Sequence, residues 1–158
     1  MKLLQIAVIA LAAVLSQPVI AQAEGDKMNM EILRQKIKAD KKLIVAANMQ
    51  LDGDQAKKFW PVYEAYQKDL AKINRRLGKA IVSYAEAFNT GSVPDETAKK
   101  LLNEALAIEE AEVNLKRSYV PKLEKILPEM LVARYIQIET KIRSIVRYEL
   151  AANIPLVE

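Results

Sequence analysis

The sequence predicts an all-α protein: four amphipathic helices, the middle two forming a long, curved hairpin. Three observations carry that prediction. Apolar residues recur at steps of three and four, strand-type alternation is absent, and glycine and proline cluster at few places. The 158 residues are 51% hydrophobic and 28% charged, a balance that favours one folded domain over disorder.

The first residues read as a secretory signal peptide. Lys2 supplies a positive start, Ile6 to Leu15 an apolar run, and Ala21-Gln22-Ala23 a small-x-small pattern with cleavage expected after Ala23. The run is short of the ~20 residues that a membrane span needs, which disfavours the alternative of an uncleaved anchor. Residues 24–158 are then expected to form a single exported helical domain. That domain has no further run long enough to span a membrane, and its charge is one unit below the +4 of the whole chain.

A first helix is expected from about Met28 to Met49, with Met30, Leu33, Ile37 and Ile44 at helical spacing. The second is the strongest, from about Asp52 to Asn89. Phe59, Tyr63, Tyr66, Leu70, Ile73, Leu77, Ile81, Tyr84 and Phe88 mark one face of a rod of roughly 55 Å. Asp52 suits its N-cap, and Gln55 three positions on completes a capping-box pattern.

After the turn Asn89-Thr90-Gly91-Ser92, Pro94 fits the first turn of a third helix reaching about Leu127. Its inner stripe is Leu101, Ala105, Ile108, Leu115, Tyr119, Leu123 and Ile126. Leu102, Leu106, Val113 and Val120 widen it, as if the helix touched two neighbours. Pro128 opens a fourth helix to about Ala152, with Leu131, Tyr135, Ile138, Ile142 and Ile145 inward. The apolar tail Ile154-Pro155-Leu156-Val157 is expected to fold back or to pair with a partner.

Pro61 and Pro121 fall inside the second and third helices, and each should bend its helix. A hairpin folding near residues 92 and 93 pairs positions that sum to about 185, so both bends come at nearly the same height. The alternative is a second helix that starts only after Pro61.

Two charge patterns stand out. With Phe59 at zero, Lys57, Lys68, Lys72, Arg75 and Lys79 fall between about 160° and 220° around the second helix, opposite its apolar stripe. A one-sign stripe attracts acidic partners or anionic surfaces, although an ordinary solvated face reads the same way. The third helix carries Glu109, Glu110 and Glu112, two of which fall on its apolar arc, and buried carboxylates need partners. Hairpin registry brings Glu109 towards Arg76, and the turn at Pro128 brings Glu112 towards Arg143. These four residues are expected to form a structural ion-pair network across three helices. Trp60 and Tyr63, beside Pro61, are either core aromatics or an apolar lining of the concave side.

The inventory narrows the function further. With no histidine and no cysteine, the chain has no imidazole base, thiolate nucleophile, disulfide or His/Cys zinc site. Its four glycines are too scattered for a phosphate-cradling loop. Neither an enzyme, a metal site nor a cofactor is expected, and no motif points to nucleic acid.

Leu51-Asp52-Gly53-Asp54-Gln55 opens the second helix and Leu127-Pro128-Glu129-Met130 the fourth. In helix order and in the placement of these motifs, the chain resembles the Spy/CpxP group of periplasmic proteins, marked by two Leu-Thr-x-x-Gln motifs. Asp52 stands where the family has Thr and keeps the N-cap role, whereas the second copy lacks the Thr. Phe59-Trp60-Pro61-Val62-Tyr63 sets the chain in a divergent branch. The resemblance implies a cradle-shaped homodimer in the periplasm that binds unfolded or partly folded envelope proteins without ATP. Lys68, Lys72, Arg75 and Lys79 would attract such clients, with Trp60 and Tyr63 making apolar contact. Some members of the family instead restrain envelope stress sensors, so an adaptor on a sensor domain is the alternative. Metal-responsive relatives use histidines, and this chain has none.

Overall fold

In a computed structural model, the structure describes residues 39–157. The signal peptide, its cleavage site, and Met30, Leu33 and Ile37 lie outside the described residues. Four helices follow one another: α1 over residues 39–49, α2 Gly53–Asn89, α3 Asp95–Glu124 and α4 Glu129–Asn153. There is no strand among the described residues, so the all-α class holds.

The described residues fall into two compact units, one ending at Leu51 and one starting at Asp52. In the first, α1 buries Val45 and Met49, four residues apart on one face, and leaves Leu43 and Ile44 exposed. Ile44, one of the residues at helical spacing, lies about 100° from Val45 around the helix and so off the buried face. Gln50 ends α1 with φ 50°, in the left-handed region that a C-terminal cap requires and that glycine fills at least cost.

In the second unit, Asp52 caps α2. Its Oδ1 accepts from the backbone N–H groups of Asp54 (3.1 Å) and Gln55 (2.8 Å), and the Asp52 N–H donates to Gln55 Oε1 (3.2 Å). This is the expected capping box. The helix runs unbroken past Pro61 to Asn89, which removes the alternative of a later start. Gly91, at φ 101°, makes the turn into α3, and Pro94 precedes the first residue of that helix. α3 contains Pro121 and stops at Glu124, three residues before the expected end. Pro128 biases Leu127 away from helical backbone, and a short turn on the Leu123 carbonyl closes the helix instead.

Cross-helix contacts fix the directions. Tyr66 meets Tyr119 and Arg76 meets Glu104, so α2 and α3 are antiparallel. Lys116 meets Thr140 and Glu112 meets Arg143, so α4 is antiparallel to α3. Phe59 meets Tyr135, Gln67 meets Glu139 and Asn74 meets Arg143, so α4 is parallel to α2. The unit is an up-down-up arrangement, and its registry sets Pro61 and Pro121 at nearly one level.

Its core is aromatic. Phe59, Tyr63 and Tyr66 of α2 converge on Tyr135 of α4 with ring centroids 5.1, 6.2 and 5.8 Å away, and Tyr66 meets Tyr119 of α3 edge-on at 5.2 Å. Ile73, Ile108, Leu123, Leu131 and Val132 complete it. Edge-to-face pairs of this kind add about 0.5–1.5 kcal/mol each beyond the area they bury.

Candidate functional site

The core closes at one end of the unit only. At the end away from the hairpin turn, buried residues run along α2 from Phe59 to Ile73, along α3 from Ile108 to Leu123, and along α4 from Leu131 to Glu139. Towards the turn the same inward stripe continues through Leu77, Ile81, Tyr84 and Phe88 of α2 and Leu101 of α3. None of these is fully covered, and only Val93, in the turn itself, is buried there. From Ile142 onward α4 has no buried residue, and Ile145, expected to point inward, is exposed. In this stretch α4 meets the hairpin through the long polar side chains of Arg143 and Arg147.

Those polar contacts are the observed ion-pair network. Arg143 Nη2 donates to Glu112 Oε1, and Arg143 Nη1 donates to Asn74 Oδ1 (3.1 Å). Arg147 donates to Glu112 Oε2 (3.0 Å) and to Glu109 Oε1 (3.3 Å). Burial and the neighbouring Arg147 charge draw the Arg143 guanidinium below its ordinary value. The expected proximity of Glu109 and Arg76 is corrected: Arg76 forms a two-pronged pair with Glu104 (2.9 and 3.1 Å), over a turn nearer the hairpin tip, and Glu109 turns to α4. Of the two carboxylates expected in the network, Glu112 is buried and Glu109 is exposed.

Tyr63 is corrected as well. Only 1% of it is exposed, edge-on between Trp60 and Tyr135, so it is a core residue and offers no surface to a client. Trp60 is half-buried. Burial, with Glu139 and Glu64 adding to it, raises the Tyr63 phenol, whose hydroxyl has no hydrogen-bond partner.

The basic residues stand differently. Lys68, Lys72, Arg75 and Lys79 are all exposed, and Lys72 pairs with Asp69 (2.8 Å). Hydrogen bonds from Lys72 and from the Tyr119 hydroxyl (2.7 Å) hold the Asp69 carboxyl below its ordinary value. A shallow trough of about 710 Å³ along the α2/α3 seam is lined by Arg76, Lys79, Lys99 and Lys100, by Glu96 and by Glu104 (which pairs with Arg76), and by apolar Ala80 and Leu101. Cations and incompletely covered apolar side chains therefore occupy the same, hairpin end of the unit.

α3 adds a second apolar feature. Leu102 and Leu106 are 59% and 56% exposed, and with Val113 they fall within an arc of about 40°. Expected against a second neighbour, they face solvent in this chain.

Sequence reasoning missed Arg147, Glu104, Asp69 and Asn74. Arg147 lies one turn beyond Arg143 on the same face, a spacing that could have revealed it. Among the described residues no cluster of acidic side chains could hold a metal ion, and no helix is long and apolar enough to cross a membrane. No family model, curated protein or solved structure matches the chain.

Proposed function

We propose that the protein is an exported, periplasmic holdase that binds unfolded or partly folded envelope proteins without ATP. The supporting observation is the open hairpin end: Leu77, Ile81 and Tyr84 are partly accessible on the inward stripe of α2, and Lys79, Lys99 and Lys100 stand on a different face of the same end, along the α2/α3 trough with Leu101. Half-covered apolar side chains hold a non-native chain weakly, because each contact removes little area from water. Exposed cations raise the encounter rate with acidic clients over a Debye length of about 10 Å. Lys68, Lys72, Arg75 and Lys79 act in attraction. Trp60 contributes at most an edge, and no catalytic step or cofactor is part of this reading. The homodimer belongs to the same reading, as does the curved cradle, for which the prolines level in both hairpin helices speak.

One observation favours a second reading, an adaptor on the sensor domain of a signalling protein. The ordered stripe Leu102, Leu106 and Val113 suits one structured partner better than many unfolded ones. An aggregation assay separates the two. A holdase suppresses precipitation of several chemically denatured proteins at near-stoichiometric ratios, with a weaker effect at high salt. An adaptor suppresses none and captures one partner.

A further inference from the structure

We propose that Ser144–Val157, the last turns of α4 and the tail, form a displaceable strap over the open apolar face of α2, hinged at Arg143. This rests on the holdase reading above and assigns that site its regulation. The two halves of α4 are held by different chemistry. Up to Glu139 the helix is anchored by the buried Leu131, Val132, Tyr135 and Ile138. Arg143 is fixed by Glu112 and Asn74, and 14% of its side chain is exposed.

Beyond Arg143 the helix is held more loosely. Arg147 reaches Glu112 and Glu109 with 46% of its own side chain exposed, and Tyr84 donates its hydroxyl to the Pro155 carbonyl (3.0 Å). Among the described residues of this stretch, Leu150, Ile154 and Pro155 are half-buried. Exposed ion pairs are weak and screened by salt. Ile145, Val146, Tyr148, Leu156 and Val157 already face solvent, so lifting the strap removes little burial from them. Asn74 and Tyr84, the α2 residues gripped at its two ends, bracket Leu77 and Ile81 on the inward stripe. Release therefore lengthens the apolar surface open to a client.

Hydrogen exchange of the full-length chain, read by mass spectrometry, tests the strap. Amides of 144–153 should exchange at least about tenfold faster than those of 131–139, and high salt should widen the gap. Arg147→Met and Tyr84→Phe, two mild changes at incompletely buried positions, should each speed exchange in 144–153 and leave 59–73 untouched. Each should also suppress more aggregation of a denatured client than the unmodified chain does. Equal protection along α4, or variants that loosen the whole unit together, overturns the strap. Local release with no gain in suppression overturns its link to client binding. A chain whose unmodified form suppresses nothing fails the holdase reading instead, and the exchange pattern reports on the strap without it.

Discussion

Glu112 of α3 and Arg143 of α4 form the most enclosed ion pair among the described residues, with 6% and 14% of their side chains exposed. Arg147 supplies the second oxygen of Glu112 with a donor, so one carboxylate serves two guanidinium groups. Removing one member of a buried pair strands the other charge, which costs about 3–5 kcal/mol. Glu112→Ala should therefore lower the melting temperature by roughly 10 °C or more. The joint replacement Glu112→Leu with Arg143→Met should cost clearly less, because no charge is stranded. Thermal unfolding followed by circular dichroism checks both.

Tyr63 leads to an opposite expectation. Its ring is packed, but its hydroxyl is buried with no hydrogen-bond partner. An unmet buried polar group costs about 1–3 kcal/mol. Tyr63→Phe keeps the ring and removes the oxygen, so stability should rise by about 1 kcal/mol in a denaturant titration. Aggregation suppression should not change, because the residue has no exposed surface to offer a client.

Alkaline pH should unfold the protein cooperatively. Burial, aided by Asp69, pushes the Tyr119 phenol up to about 12, and burial raises Tyr63, Tyr66 and Tyr135 further. A raised phenol favours the folded state fully below the ordinary value of 10. That contribution is lost as pH rises from 10 towards the folded value, because only the unfolded chain then gives up its protons. Tyrosinate absorbance should show these four phenols ionising together with loss of helix, rather than ahead of it.

At the end of α1, Gln50 sits at φ 50°. The left-handed region costs a residue with a Cβ about 1 kcal/mol, whereas glycine enters it freely. Gln50→Gly should leave the structure unchanged and raise stability by about 0.5–1 kcal/mol in the same titration.

Much of the fold was legible because local chemistry decided it. The Asp52/Gln55 box, the Gly91 turn and the Pro128 stop act within a few residues, and the helix limits follow from them to within three residues. The Phe59-to-Ile73 face was legible for the same reason, since a 3.6-residue period marks it directly. Side-chain partners across helices were harder. Hairpin registry brought Arg76 to the right stretch of α3, yet the choice between Glu104 and Glu109 depends on rotation about the helix axis, which spacing alone does not set. Ile145 and Leu102 show a second limit: periodicity marks an apolar face, and only packing tells whether anything covers it. Tyr63 failed as a surface residue because an aromatic next to a proline reads alike in a core and in a groove.

The central claim is that client binding occurs at the hairpin end of the helical unit, where the apolar stripe is open. Methyl NMR of the chain, titrated with a permanently unfolded client, tests it most directly. Shifts concentrated at Leu77, Ile81 and Leu101, with Leu123, Leu131 and Val132 unmoved, are the predicted result. Shifts at the closed end alone, or none at saturating client, would contradict the account.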